Sequence, residues 1–505
     1  MSTTSSTPER PGFLRELDTL IRARYPLLYL VTWEEQRLDA LLGDLARSHG
    51  KDLLEWTATR GLRALTGTLK VPPEETLEPA RALVAIHRLT SPALVLLKDF
   101  HRHLDDPVTV RALRELGFHL KTQFTTAIVV APTLKLPDEL EKDVSVVDVP
   151  LPSKADLLAL LKDIARVVTK NKRATVELNR AQAEALVAAA HGLTLSEAEN
   201  AFAKAIAQDN RLDATDLKLI LDEKSQVVRK SGLLEYHATD QSLSDVGGLT
   251  HLKHWLVRRA DAFSDDARAF GLPSPKGLLL LGVQGCGKSL TARAIASTWR
   301  MPLLRLDMGR IYSGLIGSSE ENLRKAIRVV ESLAPVVLWV DEIEKGLAGA
   351  GGGANDTGVS ARVFGTLLTW LQEKTAPVFV VATANRIDTL PPELLRKGRF
   401  DDIFFIDLPT ETERKEIFAL QLSRRGRTPS NYPLAALAAR CEGFSGAEVE
   451  QVVVSALAEA FADKVELAPR HLEAAIDETL PLSVTMAEDI ERLRQWAKQR
   501  TRPAS

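Results

Sequence analysis

Short apolar runs alternate with helical periodicities along most of the chain. Runs such as YPLLYLVT (25–32), ALVLLKDF (93–100) and TAIVVAP (126–132) are typical of strands that are buried on both faces of a sheet. Elsewhere the apolar positions recur every three or four residues, as in 36–50, which predicts amphipathic helices. This alternation predicts an α/β fold.

The second half of the chain repeats the order of patterns in the first. The strand patterns GLLLLGV, VVLWVDEI and APVFVVATAN follow one another before a mainly helical stretch. Three pairs of strings each lie 251 positions apart: LLYL and LLLL, VVA and VVA, and GLTLSEAE and GFSGAEVE. LPDEL and LPPEL lie 254 positions apart. We infer two copies of one module, each an α/β core followed by a helical lid; chance agreement between short apolar strings is the alternative.

Changes in composition mark the borders of these modules. The first residues are rich in Ser, Thr and Pro, and a polar stretch, DEKSQVVRKSGLLEYHATDQ, separates the two copies. The predicted segments are a disordered tail (1–12), a first α/β core (13–152), a helical lid-like subdomain (153–221), a linker (222–241), a second core (242–409), a second helical lid (410–480), and a C-terminal helix and tail (481–505).

Charge and composition exclude several classes of protein. The 505 residues include 65 Lys and Arg and 67 Asp and Glu, so bulk charge does not favour binding to nucleic acid or to an anionic membrane. Two cysteines, Cys286 and Cys441, exclude a disulfide scaffold and favour a reducing compartment. Because no apolar run approaches the ~18 residues of a membrane helix and the start lacks the features of a secretory signal, we predict a cytoplasmic protein without a membrane span.

A glycine-rich loop gives the strongest chemical signal. GVQGCGKS (282–289) matches G-x-x-x-x-G-K-[ST] in full, between a strand pattern and a helix pattern. The glycines allow a tight turn whose N–H groups point at phosphate oxygens, Lys288 adds a charge for the β- and γ-phosphates, and Ser289 adds a hydroxyl ligand for Mg²⁺. The residues predicted to bind the nucleotide here are Gly282, Val283, Gln284, Gly285, Cys286, Gly287, Lys288, Ser289 and Leu290.

Cys286 lies inside this loop and has two interpretations. It is a small residue that fills the turn, or it is a thiol whose pKa is lowered at a helix N-terminus, so that oxidation blocks nucleotide binding.

Polar side chains end the next two strand patterns. Asp341 and Glu342 follow VVLWV, and Asn385 follows VVATA. We predict that Asp341 is a ligand of Mg²⁺, directly or through water, and that Glu342 deprotonates the attacking water. Asn385 is predicted to hold that water or the γ-phosphate. The alternatives are an exposed acidic turn and a simple turn-forming asparagine.

Together these strings resemble the AAA family of ATPases within the AAA+ superfamily. The markers between 240 and 480 are SDVGGL, GVQGCGKS, VDE, ATAN, LLRKGRFD and GFSGAE. The resemblance implies a P-loop module with a parallel sheet, flanking helices and a helical lid, which binds ATP and Mg²⁺. Finer strings are similar to a divergent branch of AAA-domain proteins, of poorly defined role, from chloroplast and cyanobacterial reading frames.

The resemblance also implies residue roles and an assembly. Val246 and Gly247 are expected to border the adenine, and the backbone at Gly446 and Ala447 is expected to approach the nucleotide from the lid. The arginines of LLRKGRF, Arg396 and Arg399, are expected to reach the γ-phosphate held by a neighbouring subunit, which implies a homo-oligomeric ring of hexamer type. A solvated basic turn is the alternative for these arginines.

The sequence departs from the family pattern in three places. Leu315 stands where many unfoldases have a pore-loop aromatic residue, a departure that does not favour threading of a peptide. Gln421 replaces a histidine that related lids carry near the nucleotide. A glycine-rich insertion at 345–358 is either a substrate-contacting loop or a mobile surface loop.

The first copy lacks the chemistry of the second. In place of the glycine-rich loop it has VTWEEQRLD (31–39), which would repel a phosphate, and Lys98 occupies the metal-ligand position. LEKDVSVV, which replaces the LLRKGRF region, contains no arginine. We predict a catalytically inactive module that serves as scaffold, substrate adaptor or ring partner. Trp33 and Trp56 are predicted to be core residues rather than a ligand cage.

The sequence therefore predicts an ATP hydrolase that remodels or regulates a protein partner. A regulatory switch that assembles on ATP without threading is the first alternative, and a nucleic-acid motor or loader is the less favoured second one. Neither the partner nor the pathway follows from the residues.

Overall fold

The computed structural model describes residues 12–171, 174–230, 232–237, 242–312, 318–345, 356–387, 390–396 and 398–505. The chain divides into two compact units, residues 1–220 and 221–505. Each unit is built around its own mostly parallel sheet, which confirms the α/β fold class.

The first unit contains a six-stranded sheet in the order β3-β2-β4-β5-β1-β6. All neighbours are parallel except β2 and β3, which form an antiparallel edge. The strands of this unit, including a separate two-stranded ladder (β7 and β8), are β1 Leu27–Val31, β2 Asp52–Thr57, β3 Gly61–Ala64, β4 Ala93–Lys98, β5 Thr126–Ala131, β6 Val144–Asp148, β7 Thr175–Val176 and β8 Arg211–Leu212.

Four helices cover the two faces of this sheet, three more follow it, and an eighth, Leu217–Lys230, contains the boundary between the two units. Alternate residues of β1 enter different cores: Leu27 and Tyr29 join one cluster, and Leu28 and Leu30 join the other. This two-sided burial explains why the strands are apolar at every position. The helices are α1 Gly12–Arg22, α2 Glu35–Ser48, α3 Pro79–His87, α4 Pro107–Leu120, α5 Lys154–Lys170, α6 Arg180–Ala190, α7 Leu195–Asp209 and α8 Leu217–Lys230.

The second unit contains a seven-stranded sheet in the order β9-β11-β12-β13-β10-β14-β15. Strand β9 is the antiparallel edge, and the other neighbours are parallel. The strands are β9 Leu234–His237, β10 Gly277–Gly282, β11 Leu303–Leu306, β12 Val336–Val340, β13 Val378–Ala384, β14 Asp402–Ile406 and β15 Arg502–Pro503.

Helices flank this sheet and then form a separate helical subdomain with its own apolar core. The flanking helices are α9 Thr250–Val257, α10 Asp265–Ala269, α11 Lys288–Thr298, α12 Met308–Tyr312, α13 Ser318–Ser332 and α14 Asp356–Glu373. The later helices are α15 Glu411–Arg424, α16 Leu434–Arg440, α17 Gly446–Ala462, α18 Pro469–Glu478, α19 Leu482–Thr485 and α20 Ala487–Ala497.

The five parallel strands β2, β4, β5, β1 and β6 of the first sheet have the same order as β11, β12, β13, β10 and β14 of the second, whereas the antiparallel edge strands come from different places in the chain and β15 has no counterpart. Strand β1 corresponds to β10, β2 to β11, β4 to β12 and β5 to β13, and each sheet has one antiparallel edge strand beside β2 or β11. The repeated strings therefore mark a repeated architecture, with an α/β core and a following set of helices in both units.

Two predicted segments differ from what the structure contains. The expected linker at 222–241 begins inside α8 and includes β9, because its short apolar strings complete the edge of the second sheet. The expected C-terminal tail includes β15, which pairs with β14. The expected disordered tail lies outside the described residues, except for Gly12, which begins α1.

The two tryptophans of the first unit have opposite environments. Trp56 is fully buried, and its indole N–H donates to the carbonyl of Thr76 at 2.7 Å, as predicted for a core residue. Trp33 is 74% exposed, so the prediction that it belongs to the core is wrong. It lies on the loop between β1 and α2, beyond the end of the buried strand.

Within the parts of the chain that the structure describes, no helix is both long and apolar enough to cross a membrane.

Candidate functional site

Two adjoining clefts lie at the carboxyl end of β10. One, of about 340 Å³, lies between the glycine-rich loop and the helices α15 and α17. The other, of about 500 Å³, lies between the same loop and the ends of β12 and β13. Gly285, Gly287 and Leu290 line both clefts, so the loop separates two halves of one site.

The glycines of the loop are required by its backbone. Gly285 and Gly287 have φ angles of 73° and 87°, in the left-handed region that favours glycine. A Cβ at Gly282 would lie 1.9 Å from the carbonyl oxygen of Ile406 on the neighbouring strand. Gly287 then caps α11, so that the first amides of this helix face the cleft.

Lys288 is buried beneath the loop. Its ammonium group donates to the carbonyl oxygens of Gly282 at 2.8 Å and of Val283 at 2.7 Å. Burial lowers the pKa of Lys288 to about 8, because desolvation disfavours the charged form. The buried ammonium group of Lys288 therefore loses its proton more easily than an exposed lysine does, and its hydrogen-bond partners in the loop are uncharged carbonyl groups.

Cys286 does not have the environment of a reactive thiol. Burial raises its pKa to about 12, the direction opposite to the lowering that a helix N-terminus would give. The structure therefore favours the interpretation of Cys286 as a small filling residue.

Asp341 is held by three donors at the end of β12. Thr383 Oγ1 donates to Oδ1 at 2.7 Å, Ser289 Oγ donates to the same oxygen at 3.3 Å, and Arg305 Nη2 donates to Oδ2 at 3.3 Å. A hydroxyl and a carboxylate brought together in this way are hard oxygen donors that suit Mg²⁺, which binds few protein ligands when phosphates supply the rest. Ser289 and Asp341 therefore fit the predicted metal ligands.

Glu342 and Asn385 meet across the ends of β12 and β13. Asn385 Nδ2 donates to Glu342 Oε1 at 2.9 Å. Glu342 has a φ of 47°, which is uncommon for a residue other than glycine, and its N–H donates to Thr383 Oγ1 at 2.9 Å. A non-glycine residue at positive φ in a cleft is a strained position of the kind that functional sites retain.

Three supporting residues were missed by the sequence predictions. Thr383 bonds both Asp341 and the backbone of Glu342. Buried Glu344 accepts the backbone N–H of Asn385 at 2.9 Å, and burial raises the pKa of its carboxyl group. The available signals were the threonine in ATAN and the second glutamate in DEIE, whereas the third residue, Arg305, lies on a different strand with no local motif.

The first cleft is lined by apolar, small and charged residues. Val246, Gly247, Gly446 and Ala447 all line it, as the resemblance implies, and Gln421 lies there too. The backbone N–H of Ala447, at the start of α17, donates to the carbonyl of Gly285 at 2.9 Å. The helical subdomain is thereby joined directly to the glycine-rich loop.

Comparison with known proteins identifies the family. The model of the ATPase family associated with various cellular activities (AAA) matches residues 278–408, and models of the N-terminal and second domains of SpoVK-like AAA ATPases match 13–149 and 155–231. The uncharacterized AAA domain-containing protein ycf46 of Pyropia yezoensis is 41% identical over 490 residues, which cover 96% of this chain and 98% of that protein. The chain belongs to the AAA ATPase family.

Other relatives place it within this family. The ycf46 protein of Guillardia theta is 39% identical over 493 residues, covering 96% of this chain and 95% of that protein. The cell division cycle protein 48 homolog of Archaeoglobus fulgidus is 33% identical over 270 residues, which are 49% of this chain and 36% of the relative. The resemblance inferred from the sequence is confirmed, and membership of the AAA ATPase family implies ATP binding and hydrolysis.

The two arginines of this AAA ATPase do not lie in its own site. Arg396 is exposed and Arg399 donates from Nη1 to the carbonyl of Glu393 at 2.8 Å. Neither lines the two clefts formed by the described residues at the glycine-rich loop. Leu315 and most of the glycine-rich insertion, 346–355, lie outside the described residues.

Proposed function

We propose that the second unit is a Mg²⁺-dependent ATP hydrolase, and that it is the site of ATP turnover in this chain. The observation that carries the proposal is the placement of Glu342: its carboxylate, oriented by Asn385 at 2.9 Å, faces the cleft that Lys288 and Ser289 also line. A general base, a phosphate-binding cation and a metal-binding hydroxyl are thus present around one space.

The shape of the site supports an assignment of its halves. The adenine is proposed to lie between the Val246–Gly247 backbone and α17, where Gly446 and Ala447 approach closely. The phosphates would lie against the N–H groups of the loop and the start of α11. The Lys288 ammonium would then exchange its two carbonyl partners for phosphate oxygens.

In the proposed reaction Glu342 accepts a proton from the attacking water, and Asn385 fixes the orientation of the carboxylate. Bound Mg²⁺ would neutralise charge on the β- and γ-phosphates. Ser289 and Asp341 would hold the metal ion, with Thr383 and Arg305 orienting Asp341.

Because Arg396 and Arg399 lie outside the site of their own chain, we assign them to the site of a neighbouring subunit in a ring. Loss of the γ-phosphate would then change the contact between lid and loop at Ala447 and Gly285, and this motion would act on a bound protein partner.

ATP turnover by the purified chain tests the proposal. We expect release of phosphate with Mg²⁺ present and none after chelation, with activity returning when Mg²⁺ is restored. Chelator-resistant turnover would contradict the role of Ser289 and Asp341, and absence of turnover with saturating nucleotide and metal would contradict the proposed hydrolase.

The affinity for ATP is expected to fall as the pH rises above about 8. The pKa of Lys288 in the free protein is about 8, so the fraction carrying the ammonium charge falls tenfold for each further pH unit. Bound phosphates would raise the pKa of Lys288, so that binding of ATP takes up a proton above pH 8. The Kd for ATP therefore rises by up to about tenfold for each pH unit above 8. A fluorescent-nucleotide titration at several pH values measures this, and Lys288→Arg, which stays charged, should show no such dependence. A pH-independent Kd in the unaltered chain would contradict the lysine's role.

A further inference from the structure

The loop of the first unit that corresponds to the nucleotide-binding loop is tied to its helices by one carboxylate. Glu34 stands 251 positions before Gly285 and is only 7% exposed. Its Oε1 accepts the backbone N–H of Leu195, the first residue of α7, at 2.7 Å. Leu195 itself stands 251 positions before Gly446, so α7 and α17 correspond. In the second unit the start of α17 contacts the loop through its backbone, with the N–H of Ala447 donating to the carbonyl of Gly285 at 2.9 Å, whereas in the first unit a buried side-chain anion makes the corresponding contact.

A cation accompanies this anion. Arg37 stands 251 positions before Lys288, and its Nη1 donates to Glu34 Oε2 at 2.6 Å. The same guanidinium donates to the carbonyl of Pro150 at 2.8 Å and lies 3.5 Å from Asp156, in the first turn of α5. One buried ion pair therefore connects the loop with the starts of both α5 and α7.

A second charged pair lies at the ends of the central strands of the first unit, where the second unit has its proposed metal-binding carboxylate. In the second unit Asp341, directly after β12, pairs with Arg305 on β11 at 3.3 Å. In the first unit Lys98 on β4 pairs with Glu55 on β2 at 3.0 Å, so the charges of the corresponding pair are exchanged. Lys98 also contacts Asp39 at 2.6 Å.

The pair formed by Lys98 and Glu55 is buried, and neighbouring charges offset the cost of burying it. Lys98 is 6% and Glu55 2% exposed, and the neighbouring Asp39 and Arg63 complete the network. Burial opposes charge on both groups, and their partners more than offset it: the pKa of Lys98 is raised and that of Glu55 is lowered. An ammonium thus stays charged where the second unit presents a carboxylate.

We propose that the core and the helices of the first unit are locked together by its own side chains, with Glu34 as an internal anion between the core loop and the helices and Lys98 as an internal cation at the strand ends. Side-chain contacts within the chain thus occupy the positions that correspond to the nucleotide-binding loop and to the proposed metal ligand of the second unit. This lock stands on the geometry of the first unit and does not depend on ATP hydrolysis by the second. Its consequence is that the first unit behaves as a rigid body whose helices do not respond to nucleotide.

Hydrogen exchange at single-residue resolution on the full-length chain tests the lock. In Glu34→Ala the amide of Leu195 is expected to exchange at least about tenfold faster, since its charged acceptor is lost. Amides of β4 should keep their exchange rates, which separates local opening from global unfolding. The control is Glu199→Gln, which removes a carboxylate from an exposed position of the same helix and should leave Leu195 unchanged. Unchanged exchange at Leu195 in folded Glu34→Ala would overturn the proposal.

A second measurement needs no variant. Saturating ATP and Mg²⁺ should slow exchange at Ala447 in the unaltered chain and leave Leu195 at its nucleotide-free rate. A slowing at Leu195 of similar size would overturn the lock, because the first unit would then respond to nucleotide. Failure of the proposed ATP binding would show separately, as unchanged exchange at Ala447, and the Glu34→Ala result would still decide the lock.

Discussion

Glu342→Gln is expected to lower ATP turnover at least about a hundredfold, the smaller end of the effect of a general base, while ATP affinity changes little. Glutamine keeps the shape of the side chain and its contact with Asn385 Nδ2, but it cannot accept the proton of the attacking water. Lys288 and the loop amides, which would bind the phosphates, are unaltered. Steady-state turnover and equilibrium binding of ATP, measured on the same preparation, separate the two effects.

The chain supplies a matched control for this substitution. Asp99 follows β4 in the first unit, as Glu342 follows β12 in the second, and it too has a positive φ, of 54°. Asp99→Asn removes the corresponding carboxylate from the first unit, where we expect no ATP turnover. The variant should therefore hydrolyse ATP as fast as the unaltered chain. Full turnover in Glu342→Gln would show that another group is the base.

Substitution of Arg396 or Arg399 is expected to cause the second large loss of ATP turnover. Arg399→Ala is expected to lower turnover by about a thousandfold, the lower range for an arginine that stabilises a transferring phosphoryl group, with ATP affinity little changed. Arg396→Ala is expected to act in the same direction. The reason is that each side chain lies outside the site of its own chain and would complete that of a neighbour.

Mixing two inactive variants tests action between subunits. Lys288→Ala removes the nucleotide site but keeps its arginines, and Arg399→Ala does the reverse. Assembled together in equal amounts, they should restore about a quarter of the unaltered rate, because about that share of interfaces combines one intact site with one intact arginine. Two folded, assembling variants that stay inactive when mixed would contradict the arrangement.

The sequence predicts the residues of the site best where the chemistry is local. Lys288, Ser289, Asp341 and Glu342 lie in two short strings, and the structure brings all four to one cleft. Thr383 was missed because its role arises only when β12 and β13 lie side by side. Arg305 was missed for the same reason, since its contact with Asp341 joins β11 to the end of β12.

The elements of the fold are likewise predictable where the pattern is local and not where it depends on distant parts of the chain. The strands buried on both faces are continuous apolar runs and are predictable. Strand β9 falls within the predicted linker, because a four-residue antiparallel edge strand between mostly polar segments has little apolar pattern of its own. The burial of Glu34 could not be predicted either, since the N–H group that it accepts lies 161 residues away in the sequence. Contacts between distant segments decide all of these cases.

The number of ATP molecules bound per chain tests the central claim most directly, namely that the second unit alone carries a nucleotide site. Equilibrium dialysis with labelled ATP and Mg²⁺ should give one per unaltered chain and none for Lys288→Ala, in which the remaining first unit has Glu34 and Lys98 where a ligand would bind. Two molecules per chain, or one that persists in folded Lys288→Ala, would contradict the account.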